Sequence, residues 1–189
     1  MTSHPFIDQP SAWVRRFAPL VPGGEVLDLA CGYGRHARYF AAAGHTVLAV
    51  DRDSEALASI TEERISTVQA DLESGAPWPF GENRFSGIVI ANYLHRPLFP
   101  YLFDSLAPDG VLIAETFAHG NAQFGKPSNP DFLLAPGELL EIARAGASTA
   151  MRVIAFEDGY VDLPKPAMVQ RICLVKSAFG AAARRFPLI

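Results

Sequence analysis

The sequence predicts an α/β domain: a seven-stranded, mostly parallel sheet with an antiparallel last strand and helices on both faces. Three observations carry that prediction. Short apolar runs recur at 26–30, 46–50, 65–70, 85–91 and 111–116, and stretches of helical spacing lie between them. The first three runs deliver Asp28, Asp51 and Asp71 to one edge of the sheet. Gly32 and Gly34 follow the first run as a tight turn into a helix, at the carboxyl edge where open parallel sheets bind their ligands.

Taken in order, Ser11 caps a short helix to about Leu20, with Trp13, Phe17 and Leu20 on one face, and Pro22, Gly23 and Gly24 end it. Trp13 reads as a packing residue. The run 26–30 is too short for a helix and suits a strand buried on both faces. Helical spacing of Ala37, Phe40 and Ala41 marks a helix over 35–43, closed by Gly44. Strand 46–50 ends in Asp51, a helix over 53–62 follows, and strand 65–70 ends at Asp71. A Gly- and Pro-rich loop over 73–84 leads to strand 85–91, with Asn92 at its end. A helix then runs from Pro97 to about Leu106, and Pro108, Asp109 and Gly110 turn into strand 111–116. Residues 117–135 lack periodicity but carry Phe117, His119, Asn121, Phe124, Lys126 and Phe132, a content that argues for a substrate lid. A helix from Pro136 or Gly137 to Arg144 and two strands, 151–156 and 169–175, complete the pattern.

The 189 residues suit one domain: an N-terminal helical segment 1–23, a core 24–176 that includes the lid, and a tail 177–189. A net charge of −4 gives no electrostatic footprint for nucleic acid or an anionic membrane, and no apolar run is long enough to span one. The expectation is a cytoplasmic protein with a small-molecule partner. Cys31 and Cys173 lie apart, and His4, His36, His45, His95 and His119 show no short metal spacing, so no metal is expected.

Two readings compete for the glycine turn. Gly32-x-Gly34-x-x-Ala37 with Asp51 fits a dinucleotide-binding fingerprint. Asp28, four positions before Gly32, argues against it, because a pyrophosphate there would meet an anion. A carboxylate suits a cationic ligand instead. The segment resembles motif I of the class I S-adenosylmethionine-dependent methyltransferases, acidic-x-Gly-x-Gly-x-Gly, through Asp28, Gly32 and Gly34, with Ala30 in place of the first glycine. The resemblance covers roughly 24–176 and implies a Rossmann-like sheet and S-adenosyl-L-methionine as cofactor. Glu115-Thr116-Phe117, Phe124-Gly125-Lys126-Pro127 and Asn129-Pro130-Asp131-Phe132 resemble a small bacterial group, loosely similar to tellurite-resistance and thiopurine-type methyltransferases.

The resemblance implies a role for each matching residue. Asp51 would accept both ribose hydroxyls, Asp71 the adenine amino group, and Arg52 and Leu72 would border the ring. Arg35 and His36 fall where the methionine carboxylate would meet the amino end of a helix, and Asn92 opens the run where methyl and acceptor meet. Within that run His95 is the candidate general base, since imidazole with a pKa of about 6.5 is largely neutral near pH 7. Tyr93 ranks second. The rivals are an NAD(P)-dependent oxidoreductase and an S-adenosylmethionine-binding protein without catalysis.

Overall fold

The computed structural model describes residues 9–145 and 151–177. Its strands are β1 (Glu25–Leu29), β2 (Thr46–Asp51), β3 (Ile65–Gln69), β4 (Phe85–Ala91), β5 (Leu106–Phe117), β6 (Met151–Val161) and β7 (Ala167–Lys176). They form one seven-stranded sheet in the order β3-β2-β1-β4-β5-β7-β6. The pairs from β3 across to β5 are parallel. Strand β7 alone runs against the rest, antiparallel to both β5 and β6, as the sequence predicts for the last strand. The chain winds outward from β1 to β3, then returns to place β4 on the other side of β1. A crevice therefore opens between the carboxyl ends of β1 and β4, the switch point where such sheets take ligands.

Side chains of one strand alternate between faces, and both faces are covered, which is why the strands read as unbroken apolar runs. On one face Val26, Val47, Ala49, Val89 and Ile113 pack against Trp13, Phe17, Phe40 and Leu57. Those come from α1 (Ala12–Phe17), α2 (Arg35–Ala42) and α3 (Ser54–Ala58). On the other, Leu27, Leu48, Ile88, Ile90 and Leu112 meet Phe99, Leu102 and Phe103 of α4 (Phe99–Ser105) and Leu139 of α5 (Glu138–Ala145). Each fully buried Leu or Phe contributes about 1.5–3 kcal/mol. Trp13, 2% exposed, belongs to this core, as its sequence context suggests.

Helix starts follow the capping chemistry of the sequence. The Ser11 hydroxyl accepts from the Val14 amide at 3.0 Å, and Asp53 accepts from Glu55 and Ala56. Helix α3 stops at Ala58 rather than 62, because the Ser59 hydroxyl bonds back to the Ala56 carbonyl and Ile60 turns into the core. Strand β5 begins at Leu106, ahead of the predicted Val111. Phe85 pairs with Leu106 and Gly87 with Val111, so Pro108, Asp109 and Gly110 form an irregularity inside the strand. At the far end of the sheet the buried Lys176 ammonium donates to the carbonyls of Phe103, Asp104 and Leu106, closing the C-terminus of α4. The predicted helix stop at Gly146, residues 1–8 and the tail from 178 lie outside the described residues.

The stretch 117–135 is less free than its composition suggests. Phe117 ends β5, Ala118 bridges to Leu134, and the buried Asn121 donates to the Pro127 carbonyl and accepts from the Met168 amide. Arg96 donates to the carbonyls of Asp131 and Leu133 and pairs with Glu138. The base of the stretch is therefore fastened, while Phe124 in its middle and Phe132 near its far end stand exposed.

Candidate functional site

The glycine turn is built around Asp51. The Cys31 amide continues the sheet by donating to the Val50 carbonyl, and the next amide, Gly32, donates to Asp51 Oδ2 at 2.7 Å. Asp51 Oδ1 accepts from the Asp53 amide at 2.9 Å. A carboxylate offers about four lone-pair positions, so these two bonds fix its orientation and leave one position on each oxygen for a ligand. Gly34 caps α2 in the left-handed region at φ 77°, where a side chain would be strained and its Cβ, 2.6 Å from Ile60 Cδ1, would force the Ile60 side chain to move.

A glycine cap has no side chain to satisfy the first amides of the helix, and Asp28 does that work from the neighbouring strand. The strand period of two turns it, like Val26, toward α2, where Asp28 Oδ2 accepts from the Ala37 amide at 2.8 Å. Asp28 is 1% exposed and lines neither cavity described below, so it positions the helix rather than meeting a ligand directly. Burial raises its pKa to about 7, against the pull of the Ala37 amide and Arg35. His36, also expected near the ligand, is 3% exposed, and burial with the nearby Arg35 lowers its pKa to about 3. Neutral, it accepts from the Ser11 amide at 3.2 Å and so ties α1 to α2. Its Nδ1 stands 4.0 Å from Asp28, a neutral neighbour rather than an ion pair. The Cys31 thiol in the same turn is pushed up by burial, then by Asp28 and Asp51, and stays protonated.

Two cavities flank this turn. The first, about 280 Å³, is lined by Ala30, Asp51, Arg52, Ala70, Asp71, Leu72, Glu73, Tyr93 and Phe132. It gathers Ala30, Asp51, Arg52, Asp71 and Leu72 from the predicted set. Asp71 Oδ1 accepts from the Glu73 amide at 3.0 Å, which orients its second oxygen. Three carboxylates against one guanidinium make this a place for hydroxyls and amines and a poor one for a pyrophosphate. The discrimination assigned to Asp28 from sequence thus falls to Asp51, Asp71 and Glu73.

The second cavity, about 490 Å³, lies between the N-terminal helix and the β5–β7 edge. Arg35 and Asn92 reach it, together with Ser11, Ala12 and Arg15 of the first helical turn and Glu115, Phe117, Lys165 and Arg171. Ala30 at φ 53° and Asn92 at φ 59° turn left-handed at the ends of β1 and β4, each opening the crevice toward one cavity.

Tyr93 lines the first cavity, and burial followed by Glu73 and Asp71 pushes its phenol above its ordinary value, which keeps it protonated near neutral pH. His95 lines neither cavity. Its backbone carbonyl accepts from Leu98 and starts a 3-10 turn. Sequence reasoning missed Glu73, Arg15, Lys165 and Arg171 as site residues. No local motif marks them, and Arg171 reaches the site only because β7 pairs Arg171 with Glu115 across the sheet.

Residues 26–110 match the family described as a methyltransferase domain. Among curated proteins, the chain is 33% identical over 101 residues to a trans-aconitate 2-methyltransferase of Variovorax paradoxus, covering 50% of this chain and 39% of that protein. It is 31% identical over 116 residues to a protein-L-isoaspartate O-methyltransferase of Rhodopseudomonas palustris, covering 59% of this chain and 52% of the relative. The matches thus span about two fifths to a half of those relatives' length. Among solved structures, TehB of Haemophilus influenzae superposes with a TM-score of 0.69 at 19% identity, over 89% of this chain and 63% of that one.

Proposed function

We propose that this chain is a class I S-adenosylmethionine-dependent methyltransferase that transfers a methyl group to a small-molecule acceptor held in the second cavity; the methyltransferase domain matched over residues 26–110 and the strand order of the sheet support the reading. One observation carries the reading: a pre-oriented Asp51 carboxylate with a free position on each oxygen, at the wall of an acidic cavity beside a glycine turn. S-adenosyl-L-methionine, when bound, supplies a methyl group already activated on a sulfonium.

The residues present fit that cofactor. A Cβ on Gly32 would meet no atom within 4 Å, so the turn leaves open space beside Asp51. Asp51 would accept the ribose hydroxyls and Asp71 the adenine amino group, with Arg52, Leu72 and Phe132 of the same cavity lining available to border the ring. Arg35 and Asn92, which line the second cavity next to the glycine turn, would hold the charged groups of the cofactor's methionine half. Asp28 and His36 hold the start of α2 still from beneath. Phe117 and Phe132 border the two cavities from the ends of the stretch 117–135, and we assign that stretch to covering the acceptor and excluding water. Positioning of this kind supplies several kcal/mol of the barrier. No helix among the described residues is long and apolar enough to cross a membrane, and both cysteines are free and buried, which suits a reducing compartment such as the cytoplasm.

The test is calorimetric. S-adenosylhomocysteine is expected to bind the purified chain with micromolar or better affinity, and NAD not to compete with it. Binding of NAD in preference would return the protein to the oxidoreductases.

A further inference from the structure

The second cavity carries more charge than a methionine carboxylate needs. Arg15, Arg35, Lys165 and Arg171 line it, against Glu115 alone. Arg35 spends one donor on the Gln9 carbonyl and lies nearest the turn, so it goes with the cofactor's methionine end. The other three cations stand apart from it on α1, on the β6–β7 connection and on β7. Among the described residues, the side chains of Arg15 and Lys165 have no hydrogen-bond or ion-pair partner. Arg171 Nε stands 3.2 Å from Glu157 without hydrogen-bond geometry, and the guanidinium lies over the Trp13 ring at 5.4 Å. Trp13 is fixed in turn by its indole bond to the Ile172 carbonyl, so the guanidinium rests on a rigid platform.

The wall between these cations is apolar. Val161, Leu163, Pro164, Ala167, Val169 and Phe117 form it. A bare inorganic oxyanion would leave that surface unused, and a thiol or an amine would leave the cations unpaired. Building on the methyltransferase reading above, we propose that the acceptor is a small organic acid with two or more carboxylates on a short hydrocarbon frame. Arg15, Lys165 and Arg171 hold one carboxylate while another is methylated.

This acceptor chemistry matches the lining in a second way. A carboxylate is already ionised at neutral pH, so no residue has to remove a proton, and neither His95, outside both cavities, nor the protonated Tyr93 is asked to. The attacking carboxylate oxygen forms a bond to the methyl carbon as the carbon–sulfur bond breaks with its electron pair remaining on sulfur. The products are a methyl ester and an uncharged thioether, and one positive and one negative charge are cancelled.

The experiment titrates a panel of three- to six-carbon di- and tricarboxylates into the chain saturated with S-adenosylhomocysteine, with monocarboxylates, inorganic phosphate, an alkyl thiol and an alkyl amine as comparators. At least one polycarboxylate is expected to bind, and to take methyl from radiolabelled S-adenosylmethionine into a base-labile ester. The double variant Arg15→Ala, Lys165→Ala should weaken that binding about tenfold or more, the effect of losing a charge-assisted hydrogen bond, with S-adenosylhomocysteine affinity unchanged. Both side chains are exposed, so their loss leaves no buried group stranded. Failure of S-adenosylhomocysteine to bind would overturn the methyltransferase reading itself. Normal S-adenosylhomocysteine binding with no polycarboxylate bound, with phosphate bound preferentially, or with only the thiol or amine methylated, would overturn this inference and leave that reading standing.

Discussion

The two cavities sit on either side of one glycine turn and are assembled in opposite ways. The first is acidic and local: apart from Tyr93 and Phe132, its lining comes from residues 30–73, each at or just after the end of β1, β2 or β3. The second is largely basic and drawn from residues 9–171, from the N-terminal helix, the start of α2, the ends of β4 and β5, the β6–β7 connection and β7. Repetition explains the contrast. A parallel sheet delivers every strand end to the same edge, so any strand that ends in an acid adds to the first cavity without long-range coordination. Cations on unrelated elements meet in the second only because a whole sheet and an outer helix place them there. On this view the first cavity holds what the family shares, and the second holds what this chain selects.

Breaking the first cavity should have the largest effect. Asp51→Ala removes both the ligand's acceptor and the anchor of the Gly32 and Asp53 amides. S-adenosylhomocysteine affinity is expected to fall roughly hundredfold by calorimetry, as two charge-assisted bonds are lost. Because the cavities are separate, the far-UV circular dichroism should be unaltered. Affinity within a factor of two of wild type would show that the first cavity does not hold the ribose.

The same contrast sets what the sequence could reveal. The parallel strands, their order of appearance, the caps at Ser11 and Asp53 and the acids Asp51 and Asp71 all follow from patterns within about ten residues of each other. Asp28 shows the limit of such patterns. Its place in the motif is legible, but its direction depends on the strand's parity and on Gly34 leaving the start of α2 without a side-chain cap. Arg171 and Lys165 carry no local signal, since their role exists only through the antiparallel pairing of β7. The stretch 117–135 reads as a free loop because Arg96 and Asn121, which fasten it, bond backbone carbonyls that leave no trace in side-chain periodicity.

The floor between the cavities offers a smaller effect, read in stability. Asp28 has a folded pKa of about 7, raised from its ordinary 3.8, so its contribution is complete below 3.8 and is lost as pH rises through 7. His36 has a folded pKa of about 3, lowered from 6.5, so its contribution is complete above 6.5 and is lost as pH falls through 3. Between those ordinary values the folded chain carries its proton on Asp28 and the unfolded chain carries one on His36. The counts cancel, and the pair contributes no slope. Asp28→Asn keeps an acceptor for the Ala37 amide but leaves the His36 slope exposed. Urea unfolding should then show stability falling by about 1.4 kcal/mol per pH unit on acidification from about pH 6 to 4.5, relative to wild type. Parallel profiles for the two proteins would mean the buried pair does not titrate in opposition.

The smallest expected effect is at His95, and it bears most directly on how the second cavity works. From sequence alone His95 is the natural base, lying four residues past the end of β4 in the run where methyl and acceptor should meet. In the structure Asn92 turns left-handed into the second cavity, Tyr93 faces the first, Leu94 enters the core, and His95 starts a 3-10 turn outside both. A positioned general base adds about 10²- to 10⁴-fold when the acceptor must lose a proton, and nothing when it arrives ionised. His95→Gln therefore separates two mechanisms that the same fold could run. With a carboxylate acceptor, turnover should stay within about twofold of wild type across neutral pH, because the catalytic work is orientation by fixed cations and a sulfonium that needs no proton in exchange. A loss of about tenfold or more, with S-adenosylhomocysteine affinity unchanged, would restore His95 as a base and require an acceptor that binds protonated.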